Sequence, residues 1–276
     1  MKTKLILLLL VLVALVFTFA ACGETTDTTA ENTTVPDVTT TVPVTTPPSP
    51  LDGEDAKAAY EYVSEKMAEL HGFEAKMIQE SSYFGETSTM EADIKINLAD
   101  GKKGFMSMKL EDGSFIDATY IDGIVYCLMK MTGFEMKYTT QDESMTSMFE
   151  EFFSILEEDN GEEDKNEVAS VVFGKRENGV YTLVVTATEE AALASIMADY
   201  ESLDVDSSEF SNISNVMTFE CNANGYVTKI VETLTYTFDG DHCSETTTCT
   251  FKNVGTLPAV SAPADADSYM NMDEME

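Results

Sequence analysis

Tryptophan is absent from this 276-residue chain, histidine occurs twice, and basic residues number 16 against 50 acidic ones. Each scarcity excludes something. Two histidines, His71 and His242, leave little material for imidazole general-base chemistry or for histidine-built metal centres. A formal charge of −34 repels phosphate backbones and anionic headgroups alike. Nucleic acid is therefore excluded as a partner, and so is electrostatic attraction to an anionic membrane. No phosphate-cradling glycine loop, serine elbow or metal-ligand helix motif is present. Carboxylates are so abundant that no pair stands out as an acid–base couple. The chain reads as a non-enzyme, with no catalytic residue, cofactor or resident metal expected. Proline is confined to the flanks: five of the seven lie between Pro36 and Pro50, and the next is Pro258.

Long apolar runs are equally scarce, and the one present is Leu5 to Phe19. It is too short for the roughly 20 residues a membrane-spanning helix needs. Lys2 and Lys4 precede it, small residues close it, and no basic stop-transfer cluster follows, which is the pattern of an export signal. Phe19-Ala20-Ala21-Cys22 resembles the lipobox of bacterial lipoproteins, with Phe19 where leucine is usual. The resemblance implies that residues 1–21 are removed and that Cys22 becomes a diacylated N-terminus. Two acyl chains hold a protein on a membrane durably, where one would not. The expected location is the outer face of the cytoplasmic membrane, or the outer membrane or cell surface.

Residues 22–50 hold the lipidated cysteine and a linker with 11 threonines and no aromatic residue. This composition cannot bury a core, and an extended chain of that length reaches at most about 85 Å. Residues 51–256 are long enough for one ordinary domain. Residues 257–276 regain proline, alanine and aspartate and are expected to be a disordered acidic tail.

Within the domain, Asp52 is the expected cap of a first helix whose stripe is Ala56, Tyr60, Val63, Met67 and Leu70, closed by His71-Gly72. The period then falls to two. Phe73-Ala75-Met77, Met90-Ala92-Ile94-Ile96-Leu98 and Met106-Met108-Leu110 alternate, as do 115–120, 124–131 and 134–138, with Asp-Gly turns between several of them. A second helix is expected over Ser144 to Leu156, then an acidic loop over 157–167. A hairpin of 168–175 and 180–187, a third helix after Thr188, and three last strands complete an α+β chain of about eleven antiparallel strands and three helices.

Four cysteines remain in the domain. A two-residue turn at Asp239-Gly240 sets Tyr236 opposite Cys243 and Ile230 opposite Cys249, and the preceding loop sets Cys221 opposite Tyr226. Cys243 and Cys249 are then about 20 Å apart on one strand, and Cys221 lies two strands away. At most one disulfide is expected, and it would use Cys127; buried free thiols are favoured. Adjacent His242 and Cys243 face opposite sides of a strand, which argues against zinc. The acidic runs 159–164 and 204–209 do not form a helix–loop–helix calcium site. Methionine is abundant, with 16 in the chain. Met90, Met106, Met108, Met129, Met131, Met145 and Met148 fall at inward or helix-stripe positions. Flexible thioethers suit a cavity that adapts to a greasy ligand, and equally an ordinary soft core.

The lipobox, the linker, the opening amphipathic helix, the long meander, the apolar helices between strands and the closing three strands are together similar to the LolA/LppX-type lipoproteins. That resemblance spans about residues 54–252 and rests on element order. It implies a curved half-barrel with helices on the concave face, holding acyl chains or other amphiphiles. Under it, Met145, Met148, Phe149 and Phe152, with Ile196, Met197 and Tyr200, are candidate lid residues, and Met106 and Met108 candidate wall residues. The expected function is that of a membrane-anchored extracytoplasmic protein binding a lipid-like ligand without chemistry. The alternative is a surface module that meets an envelope protein partner and has no small-molecule ligand.

Overall fold

The computed structural model describes residues 49–272, apart from 100, 111, 142–144, 147–148, 151–152, 154–166 and 201–204. The signal, the lipobox with Cys22 and all of the linker but Ser49 and Pro50 fall outside the described residues.

A short 3-10 turn, Pro50–Asp52, leads into α1, Ala56–Ala68. The helix cap is Asp55, not Asp52: its carboxylate accepts from the backbone N–H of Lys57 and Ala58 at 3.0 and 3.1 Å. Asp52 instead accepts from the Tyr181 hydroxyl at 2.7 Å. The helix also ends earlier than expected, at Ala68, and Gly72 opens a strand. A Cβ on Gly72 would stand 2.3 Å from the Ile96 carbonyl oxygen, so this glycine serves strand contact and not helix termination. Ala59, Tyr60, Val63 and Met67 bury one face of α1, and the Tyr60 ring meets Phe219 at 5.7 Å.

Among the described residues, twelve strands follow. They are β1 Gly72–Tyr83, β2 Glu86–Asn97, β3 Lys103–Lys109, β4 Phe115–Ile121, β5 Ile124–Met131, β6 Phe134–Thr140, β7 Val168–Glu177, β8 Val180–Ala187, β9 Phe210–Asn222, β10 Val227–Phe238, β11 Asp241–Lys252 and β12 Met270–Asn271. They form one curved, unclosed sheet in the order β12-β6-β5-β4-β3-β2-β1-β11-β10-β9-β8-β7. Two meanders, β1–β6 and β7–β11, are joined where β1 pairs antiparallel with β11. All pairings are antiparallel except β12 against β6. The eleven expected strands are β1–β11. Their register follows the turn chemistry, with Asp239 and Gly240 both at positive φ and Tyr236 opposite Cys243. Cys221 pairs with Val227 and not Tyr226, because the loop before β10 takes one more residue.

The segment after Lys252 does not trail away as a disordered tail. Asn97 donates to the Pro258 carbonyl at 2.9 Å, Lys137 reaches Asp265 at 2.7 Å, and the Tyr126 and Tyr269 rings meet edge-on at 5.8 Å. These contacts carry the chain along β6, where Met270 and Asn271 add β12.

The helix count also differs from three. The helices with described bounds are α1 and α2, Glu189–Asp199, while of the expected Ser144–Leu156 helix residues 145, 146, 149, 150 and 153 are described, all helical. Thr188 Oγ1 accepts from the Ala191 N–H at 3.3 Å, the expected cap of α2.

Candidate functional site

One face of the sheet is buried, and its side chains form two separate apolar clusters. The larger gathers α1, the inward residues of β1–β5 and the far ends of β9–β11, with Phe149 and Phe153. The smaller gathers Ile196 of α2 with Phe210, Leu234, Tyr236 and Cys243, and Leu193, Met197 and Tyr200 pack against it.

The sequence-derived candidates divide between them. Met106, Met108 and Phe149 are buried in the larger cluster, and Met145 packs on it half-buried. Ile196, Met197 and Tyr200 belong to the smaller one. Met148 and Phe152, like Cys22, lie outside the described residues. Phe149 is seated by Gly104 of β3: a Cβ there would stand 2.4 Å from its ring. Beside it, the Tyr120 ring lies 5.1 Å from Phe153, and the Tyr120 hydroxyl donates to Glu150, which Lys102 reaches at 2.9 Å.

Between the clusters runs a row of polar side chains that composition and motif alone do not single out. Alternation along β1, β9, β10 and β11 turns Gln79, Asn215, Glu232, Glu245 and Thr247 to the apolar face, and all five are at most 3% exposed. Cross-strand pairing aligns them: Gln79 stands opposite Thr247, and Thr247 opposite Glu232. Asn215 donates to Glu232 Oε1 at 2.7 Å, and the Tyr83 hydroxyl donates to Glu245 Oε2 at 2.7 Å. Among the described residues, both amide atoms of Gln79, Oδ1 of Asn215 and Oγ1 of Thr247 find no hydrogen-bond partner. Such groups cost about 1–3 kcal/mol each when buried unmet.

Glu245 bears the electrostatic consequence. Burial pushes its carboxyl up from 4.5 to about 7, against smaller opposing pulls from Tyr83, Gln79 and Thr247. Gln79 and Thr247 thus lean on this carboxylate without reaching hydrogen-bond geometry. Tyr236 is raised as well, by burial and then by its contact with the Tyr200 hydroxyl at 3.3 Å.

All four domain cysteines are buried free thiols. Burial pushes Cys221 and Cys249 up to about 12, which leaves them unreactive as nucleophiles near neutrality. Among the described residues, no three histidine, cysteine or acidic side chains gather as a metal site would require. An open polar notch of about 190 Å³ at the β7–β8 turn is lined by Asp52, Arg176 and Tyr181 and contains none of the candidates.

No family model matches the chain, and no curated protein matches it. Solved structures do. The lipoprotein LppX of Mycobacterium tuberculosis superposes with a TM-score of 0.41 at 10% identity, covering 74% of this chain and 97% of that one. LprF of Mycobacterium bovis gives 0.41 at 11%, covering 77% and 100%. A putative outer membrane lipoprotein-sorting domain of Vibrio parahaemolyticus gives 0.23 at 12%, covering 72% and 94%. Of these three neighbours, one is described as a lipoprotein and another as a putative lipoprotein-sorting domain. At these scores the likeness is one of strand layout and says nothing about a ligand.

Proposed function

We propose that this chain is an exported lipoprotein, anchored through Cys22 and held off the membrane by its linker, whose buried sheet face receives an amphiphile without transforming it. The observation that carries this reading is the row of Gln79, Glu232, Glu245 and Thr247 between two apolar clusters. A core needed only for stability would hold apolar side chains there, because buried polar atoms without partners oppose folding. An amphiphile presents both kinds of surface that the face offers, a polar end for the row and a chain for the methionine-rich wall of β1–β3. Thioether side chains such as Met77, Met90, Met106 and Met108 rearrange at low cost to admit it.

The test is native mass spectrometry of the mature chain purified from its own membrane, followed by organic extraction. An amphiphile held at fixed stoichiometry, and lost in a Phe149→Asp variant that keeps its β-sheet circular dichroism, supports the reading. A chain that stays free of ligand when lipids are offered contradicts it. The protein-interaction alternative has its own foothold: β7 ends the sheet and exposes Val172 at 51%. A ligand-free chain that captures an envelope protein through that strand would favour it.

A further inference from the structure

The polar row is not uniform, and its β1–β11 end is the part that asks for a particular chemical group. Gln79 and Thr247 are direct cross-strand partners, and Glu245 is two residues from Thr247 on the same face of β11. Gln79 Oε1 and Thr247 Oγ1 are buried acceptors with no partner among the described residues. Glu245 accepts from Tyr83 at Oε2, and a carboxylate has room for further donors. Three acceptor groups therefore converge from two adjacent strands. Among the described residues, the titratable and polar groups that face Glu245 are Tyr83 and Gln79 from β1, Cys243 and Thr247 from its own strand, and Glu232 and Tyr236 from β10. None is a cation, and the buried polar residues among those described include no lysine, arginine or histidine.

We infer that Gln79, Thr247 and Glu245 form a binding site for the primary ammonium group of an amphiphile, with the alkyl chain lying along the neighbouring methionines. This rests on the amphiphile reading above and names the head group.

An –NH₃⁺ group carries three donors and no acceptor, one for each of the three acceptor groups. It also supplies the positive charge that a buried carboxylate needs to remain ionised at low cost. A carboxylate or phosphate head would set like charges together in a desolvated site. A neutral hydroxyl could meet Gln79 and Thr247 but would leave the charge of Glu245 unbalanced. The apolar wall starts where the triad ends: Met77 is two residues from Gln79 on β1, Met90 is its partner on β2, and Met108 pairs with Ala92 on β3.

The experiment compares three probes that share a twelve-carbon chain: dodecylamine, dodecanol and dodecanoate. Each is offered to the mature lipidated chain in one non-ionic detergent at about pH 8, and uptake is read by native mass spectrometry. A single copy of dodecylamine should bind at least about tenfold more tightly than either other probe, the scale of one charge-assisted hydrogen bond. Glu245→Gln, which keeps an acceptor for Tyr83, should abolish that preference and bring dodecylamine uptake to the level of dodecanol. Thr247→Val, read in the same way, serves if the first variant does not fold. Equal uptake of all three probes overturns the ammonium site and leaves the amphiphile reading standing. Uptake of none overturns both. A preference for the amine that survives both variants assigns the selection to the acidic surface and overturns the site.

Discussion

Replacing Glu245 by glutamine should stabilise this protein at alkaline pH and change it little in mild acid. In the unfolded chain this carboxyl ionises near 4.5, and in the fold near 7. Between those values the native state holds a proton that the unfolded state has released, so stability falls as pH rises through the window. Below about pH 4.5 both states are protonated and the residue contributes no pH dependence. Above pH 7 the full penalty is in force, about 3 kcal/mol for a shift of this size. The residue is 3% exposed, so solvent screening relieves little of it. Glutamine has nearly the same shape, can accept from Tyr83 through its own carbonyl oxygen, and carries no charge to desolvate. Urea unfolding of the delipidated protein and the variant, at about pH 5 and about pH 8, gives the comparison directly. The variant should gain about 2–3 kcal/mol relative to the parent at the higher pH and stay within about 1 kcal/mol of it at the lower. A difference between the two proteins that is the same at both pH values would refute the reasoning, because it would mean that Glu245 titrates as an ordinary surface carboxylate.

Gly104→Ala should cost about 1–3 kcal/mol in the same assay, because the new Cβ would press on the Phe149 ring inside a filled cluster. Pairing it with Phe149→Leu should recover part of that loss, and two costs that simply add would show that the contact is not responsible. The four domain thiols should resist a thiol reagent at pH 8 in the folded protein and all react once it is unfolded, since each is buried and those of Cys221 and Cys249 are pushed up to about 12. Rapid labelling of Cys249 in the native state would contradict the burial described for β11.

The strand pairings at the C-terminal end were legible because a two-residue Asp-Gly turn leaves little freedom in register. Tyr236 against Cys243 and Ile230 against Cys249 follow from it. The same parity places Glu232, Glu245 and Thr247 on the cysteine face, yet in a chain with 50 acidic residues an inward glutamate reads like any other surface charge. Its signal is positional, an acid in phase with Ile230, Leu234 and Tyr236, and it emerges only when register is carried through to every inward position. The helix start was misplaced because Asp52 has the side chain of a cap but ends the 3-10 turn Pro50–Asp52, and Asp55 three residues on does the capping. The hairpin between β1 and β2 turns at Phe84-Gly85, with both residues at positive φ, and there Phe84 stands where the β4–β5, β7–β8 and β10–β11 hairpins carry Asp or Asn before the glycine. β12 is two residues long and pairs with β6, helped by Asp265 on Lys137 of β6 and Tyr269 on Tyr126 of β5, contacts that leave no periodicity to read. Met90, Met106 and Met108 are buried as expected and Met129 and Met145 pack on the same cluster, but Met131, at the end of β5 beside the turn to β6, is 47% exposed. The division of the buried methionines from the α2 residues by a polar row depends on which strands become neighbours, above all on β1 meeting β11, a pairing between segments far apart in the chain.

The claim that the buried sheet face receives an amphiphile is tested most directly by photolabelling. A long-chain amphiphile with a diazirine near the end of its chain is incubated with the mature protein, irradiated, and the modified residues are located by peptide mass spectrometry. The account predicts labels at Met77, Met90, Met106 or Met108, competed away by excess unlabelled amphiphile. Labels confined to the outer edge of β7, or none that compete, would contradict it.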